Sequence, residues 1–199
     1  MSIVFSWPTA LAMGLVLAAL LLGALAGRGR GLSTRRLARS AMVAAAYVAL
    51  CLILQPISYG PVQVRLAEAL CLLPVFGPEY IAALGLGCFL ANMFGYGLLD
   101  AVFGTLATLL AGLVTWKLRG VRVRGLALPA SLPPVVFNAV IVGAELAYFF
   151  AGGSAFWPAF LWNALTVGLG EAVSCCAAGT ALVRLIERRP QLRRIFCGG

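Results

Sequence analysis

Long apolar runs broken by three tight clusters of basic residues constrain this chain more than any other feature. Fourteen of its fifteen basic residues lie in those clusters: Arg28, Arg30, Arg35, Arg36 and Arg39; Lys117, Arg119, Arg122 and Arg124; Arg184, Arg188, Arg189, Arg193 and Arg194. With 62% hydrophobic and 11% charged residues in 199, no soluble domain of this size could bury so much apolar surface. In lipid the backbone must satisfy its own hydrogen bonds, and runs of this length do so as helices. The expected fold class is an all-α membrane protein. The net charge of +9 flanks apolar spans and forms no continuous patch with interleaved aromatics. The positive-inside rule accounts for it, and nucleic acid is not an expected partner.

The first run, Ile3 to Ala26, is long enough to cross a bilayer of about 30 Å. No basic residue precedes it, so it lacks the signal-peptide pattern and is expected to remain as a helix. The arginine cluster after it is cytoplasmic by charge, which puts the N-terminus outside and the C-terminus, with its own cluster, in the cytoplasm. A second span from Ala41 to Leu54 delivers the loop Gln55 to Val64 to the outer face. An odd number of crossings must then reach Lys117. Pro74, Gly77-Pro78 and Gly95-Tyr96-Gly97 divide that stretch into segments 66–76, 79–94 and 99–117. The first is too short to span as a straight α-helix at about 1.5 Å per residue, and such segments are tolerated only where they line protein. Spans 126–150 and 156–185 follow. The chain therefore divides into an N-terminal helix with its basic loop, residues 1–35, and a six-helix body, residues 36–199.

Against this background the remaining charges stand out. Arg65 belongs to no cluster, and Glu68, Glu79, Asp100, Glu145 and Glu171 lie in or at the ends of apolar segments. A charge at the bilayer centre costs on the order of 3 kcal/mol, so such residues face a cavity or a partner. Glu79 follows Pro78 at a helix start, a position that suits a carboxylate. Asn138 and Glu145 are two helical turns apart on one face. Asn163 and Glu171 are separated by about 80° around their helix and flank one groove. Asn92 and Asp100 bracket the Gly95–Gly97 turn. Helix-to-helix hydrogen bonds and a local Arg65–Glu68 ion pair explain any one of these residues. Several converging carboxylates and amides favour a ligand site. Tyr59, Tyr96, Tyr148, Phe149, Trp157 and Trp162 fit an interfacial belt, with one or two free to stack on a planar ligand.

The chain contains no histidine, which removes Ser-His and Cys-His catalysis and imidazole metal sites. None of the cysteines has metal-ligand spacing, and buried free cysteine normally behaves as a small hydrophobe. No metal, cofactor or enzymatic activity is expected. Ala41, Ala45 and Ala49 form a small-residue stripe that suits either internal packing or a second membrane subunit. No phosphate-binding loop is present, so an ATP-driven process would need a partner.

The segments Gln63-Val-Arg-Leu-Ala-Glu-Ala-Leu70, Leu73-Pro74, Gly87-Cys-Phe-Leu-Ala-Asn92 and Asp100-Ala-Val-Phe-Gly-Thr-Leu-Ala-Thr108 resemble the QueT family. Asn138 with Gly143-Ala-Glu145, and Asn163 with Gly168-Leu-Gly-Glu171, are similar to its later polar positions. The resemblance covers about residues 38–185. It implies the substrate-binding S component of an energy-coupling-factor (ECF) transporter for queuosine precursors, in a bacterial cytoplasmic membrane. Its partners would be lipid, a transmembrane coupling subunit and two ATPases. The loop 55–64 would act as a gate and the alanine stripe Ala41, Ala45 and Ala49 as the docking face, while helix 3–26 departs from the six-helix pattern. The expected cargo is a 7-deazaguanine base or nucleoside. Its N–H donors suit a carboxylate and its carbonyl suits an amide. Glu145 or Glu171 would read that edge, Asn92, Asn138 and Asn163 would complete the bonds, and Arg65 would orient Glu68 or Asp100 at the mouth. The competing reading is a stand-alone ion-coupled carrier using Glu145 or Glu171, although the chain lacks a clear inverted repeat.

Overall fold

Ser33 opens the first helix, its Oγ accepting from the backbone N–H of Arg36 at 3.4 Å. The computed structural model describes residues 33–54, 65–95, 97–150 and 155–197. The expected helix 3–26, the gate loop 55–64, Tyr96 and the turn at 152–154 lie outside the described residues. Helix α1 runs Thr34–Ile53, starting before the Ala41 that hydropathy marks. The apolar run locates the part of a helix that crosses lipid, and here a cap carries the helix further into its arginine-rich approach. Val43, Ala44 and Tyr47 are buried, while Ala41, Ala45 and Ala49 face outward.

A 3-10 helix follows at Leu66–Val75. At about 2.0 Å per residue it reaches further than the α-helix the sequence suggested, yet still falls short of a bilayer. It is the central element: it touches α1, the helices after it and the last long helix. Ala67, Glu68, Cys71, Leu72, Leu73, Pro74 and Val75 are all buried. Because positions three apart eclipse in a 3-10 helix, Glu68 and Cys71 fall in line, and so do Ala69 and Leu72. The second row meets Gly179, where a Cβ would sit 3.0 Å from Leu72 Cδ1 and 3.2 Å from the Ala69 carbonyl.

Helices α2 (Glu79–Gly95), α3 (Leu98–Lys117) and α4 (Leu128–Phe150) complete the middle of the chain. The long helix α5 (Phe156–Arg188) contains a π-helical segment at Ala172–Gly179. A short helix α6 (Pro190–Cys197) ends the described chain. Helices α1, α3, α4 and α5 are long and apolar enough to cross a membrane, and α2 and the 3-10 helix are shorter apolar helices. The described chain is thus all-α and membrane-type, as its sequence predicts.

Close crossings depend on small residues. At Gly87 of α2 a Cβ would lie 3.1 Å from both the Ala44 carbonyl and Tyr47 Cβ of α1. At Gly143 of α4 it would lie 3.0 Å from the backbone of Ala164 in α5. Pro134 in α4 cannot donate to the carbonyl four residues back, that of Ala130. Thr115 Oγ1 of α3 donates to that carbonyl at 2.9 Å. A freed backbone acceptor is thereby satisfied without water. At the arginine-rich end, the basic residues do more than mark topology. Arg39 is buried and its Nη1 donates to the Ile195 carbonyl of α6 at 2.6 Å, while Tyr80 Oη donates to the Phe196 carbonyl at 3.1 Å. Leu192 and Phe196 pack on the core below.

Candidate functional site

Two groups of polar side chains occupy the interior, and they differ in how completely they are partnered. The first is built around Glu68 on the opening turn of the 3-10 helix. Tyr47 Oη of α1 donates to Glu68 Oε1 in a short hydrogen bond, and Cys71 Sγ donates to Oε2 at 2.8 Å. Cys175, in the π segment, donates to the Glu68 carbonyl at 3.3 Å and reaches Glu171 Oε2 at 3.5 Å. One thiol therefore ties α5 to the 3-10 helix and holds a second carboxyl beside the first. A π-helical segment offsets the turn that carries Cys175, a distortion often found at functional positions.

Arg65 lies just before Glu68 and donates from Nη2 to Asn92 Oδ1 of α2 at 2.8 Å. Asn92 Nδ2 passes the chain on to the backbone carbonyl of Asp100 at 2.9 Å and contacts Cys88 Sγ at 3.4 Å. The amide fits because Gly104 has no side chain: a Cβ there would lie 2.6 Å from Asn92 Nδ2. Arg65, Asn92 and Asp100 thus join the 3-10 helix, α2 and α3 at one end of the bundle. Arg65 is also close enough to Glu145, Glu171 and Asp100 to act on each electrostatically.

The second group lies on α4. Among the described residues, Glu145 (3% exposed) has no hydrogen-bond partner at either carboxylate oxygen, and Asn138 (4% exposed) has none at Nδ2. Glu171 is equally buried at 4%, so burial does not separate the two glutamates, whereas the Cys175 contact does. Buried polar groups are nearly always paired, and an unpaired one costs about 1–3 kcal/mol, more when charged. Asn138 and Glu145 are seven residues apart on one face, roughly 10 Å along the helix.

Of the residues the sequence singled out, Arg65, Glu68, Asn92, Asp100, Glu145 and Glu171 share this interior, and Asn138 lies two turns along from Glu145. Asn163 is half-buried on α5, next to Ala164 against Gly143, with its backbone carbonyl accepting from Thr166. Glu79 starts α2 with its carboxylate lying over Gly77, as a helix N-terminus favours. Tyr148, Trp157 and Trp162 project outward, where a lipid-facing belt would place them. Sequence reasoning missed Tyr47, Cys71, Cys88 and Cys175, treating the cysteines as hydrophobes. The available signal was the i,i+3 spacing of Glu68 and Cys71 and the i,i+4 spacing of Glu171 and Cys175.

No solved structure matches this chain. Over 71 residues, 35% of the chain, it is 41% identical to "Queuosine precursor transporter QueT" of Lactococcus lactis subsp. cremoris (strain MG1363), and the match covers 42% of that relative's length. The family described as QueT transporter matches residues 37–188, well over half of the chain. The chain therefore belongs to the QueT transporter family.

Proposed function

We propose that this transporter captures a queuosine precursor, a 7-deazaguanine-type base or nucleoside, at the outer face, with Glu145 as the principal reader. The observation that carries the reading is the pair of unmet hydrogen-bond demands on α4. Two carboxylate acceptors at Glu145 and an amide donor at Asn138 match the adjacent N–H donors and the carbonyl on the Watson–Crick edge of such a base. The printed name of the Lactococcus relative supports the same ligand class. Asn163, beside the α4–α5 crossing, is assigned a supporting hydrogen bond. Arg65, Glu68, Asn92, Asp100 and Glu171 form the scaffold that fixes the mouth.

Delivery is assigned to an energy-coupling-factor assembly with a transmembrane coupling subunit and two ATPases. The outward face of α1, with Ala41, Ala45 and Ala49 exposed, supports close helix docking by such a subunit. The body is residues 36–199 and the N-terminal unit residues 1–35. Its location is the bacterial cytoplasmic membrane, with the arginine clusters and C-terminus inside and the N-terminus outside.

The test is thermal stabilisation of the purified protein against a panel of deazapurines, purines and vitamins. Stabilisation by 7-deazaguanine bases is expected. Stabilisation by an unrelated vitamin alone contradicts the assignment. For energy coupling, uptake should vanish when the ATPase subunits are removed and persist with an uncoupler. The opposite pattern favours an ion-coupled carrier.

A further inference from the structure

The arginine-rich end of the molecule holds a second polar feature unrelated to the interior carboxylates. A cleft of about 380 Å³ is lined by Val75, Phe76, Arg122, Glu187, Arg193 and Cys197. It adjoins a lobe of about 440 Å³ lined by Glu187, Pro190, Arg193, Arg194 and Cys197. The two share Glu187, Arg193 and Cys197, and so form one continuous recess between α6, the end of α5 and the loop after α3.

That recess is built by specific contacts. The loop turns through Arg124 and Gly125, both at positive φ (51° and 76°), with paired Val123–Leu126 backbone hydrogen bonds at 3.0 Å. This is a two-residue hairpin of the type that favours glycine. It presents Arg122, whose Nη2 meets Glu187 Oε1 at 2.7 Å. On the other side Arg39 and Tyr80 hold the C-terminal carbonyls of α6. Helix α6 thus packs half-buried Leu192 and Phe196 against the core and leaves Arg193 and Arg194 exposed. Three arginines and one glutamate line the recess, leaving two positive charges after Glu187 has paired with Arg122. Beside its arginines in the chain stand exposed apolar residues, Val121 and Val123 next to Arg122 and Ile195 next to Arg194.

We infer that this cleft binds a phosphate-bearing anion, with Arg193 and Arg194 as the ligating pair and the phosphodiester headgroup of an anionic membrane lipid as the ligand chemistry it fits best. Arginine forks match phosphate oxygens in bidentate geometry. Basic pockets at the ends of membrane helices bind anionic headgroups. Val75 and Phe76 in the lining of this cleft and the exposed apolar neighbours of its arginines suit the glycerol and upper acyl region, which free phosphate lacks. Bound there, the headgroup would bridge α6 to the bundle.

The experiment titrates the purified full-length protein in neutral detergent with short-chain phosphatidylglycerol, short-chain phosphatidylcholine and inorganic phosphate, reading thermal midpoint and native mass. Phosphatidylglycerol should raise the midpoint and remain bound. The double variant Arg193→Gln/Arg194→Gln should weaken this binding roughly thirtyfold. Arg184→Gln/Arg188→Gln removes the same charge from outside the cleft and should leave it within about twofold. Arg193→Lys/Arg194→Lys, which keeps the charge but not the planar fork, should lose less than the glutamine variant and shows that the fold survives change at both positions. Saturation by inorganic phosphate with the same variant dependence, and no preference between the two lipids, assigns the cleft to free phosphate. No response to any anion, or equal losses in the two glutamine variants, overturns the site.

Discussion

Glu68 and Glu145 are the same residue type, buried to the same degree in one membrane interior, and they are treated in opposite ways. Glu68 is held at both oxygens by Tyr47 and Cys71, and its carbonyl by Cys175. Among the described residues Glu145 has no partner at either oxygen, and Asn138 on the same face has none at Nδ2. Fully satisfied polar networks rigidify a core, whereas an unsatisfied group signals a demand met by something outside the chain. On the function proposed above, the contrast separates a carboxylate that builds the fold from one offered to cargo.

Substitutions can break that contrast in a definite order. Glu145→Gln should have the largest effect on cargo, weakening binding of a 7-deazaguanine base roughly ten- to a hundredfold by calorimetry. It should leave the unliganded thermal midpoint nearly unchanged, because the buried carboxyl it replaces makes no hydrogen bond within the described residues. Tyr47→Phe should do the reverse, costing about 1–3 kcal/mol of stability by leaving Glu68 Oε1 without its donor, read as a lowered midpoint in detergent. Cargo affinity should then change by less than about threefold. Asn138→Ala should reduce affinity about fivefold, the scale of one neutral hydrogen bond. Cys175→Ala should be mildest, with a stability loss of about 1 kcal/mol or less, since a thiol is a weak donor. If Cys175→Ala instead abolishes binding, Glu171 reads the ligand and the contrast fails.

Much of this architecture was legible beforehand. Apolar length and arginine clusters located α1 through α5, because lipid thickness and loop charge impose strong, local patterns. Pro74 and Gly77-Pro78 isolated the short central segment, although not its 3-10 geometry. Arg65 stood out by its isolation, and one of its partners is Asn92, 27 positions away. Contacts of that kind depend on tertiary packing, as does the bond from Tyr47 to Glu68. The choice between Glu145 and Glu171 could not be made from spacing alone. It turns on Cys175, whose thiol reads in the sequence as one more small apolar side chain. Arg39 likewise looked like a topology marker and is a buried clamp on α6.

The account's central claim is that Glu145 reads cargo while Glu68 supports the fold, and side-by-side calorimetry tests it most directly. A 7-deazaguanine base is titrated into wild type, Glu145→Gln and Tyr47→Phe, with the thermal midpoint of each recorded. The predicted result is binding lost or weakened at least tenfold in Glu145→Gln and kept within about threefold in the less stable Tyr47→Phe. Normal binding by Glu145→Gln, with loss in Tyr47→Phe, contradicts it.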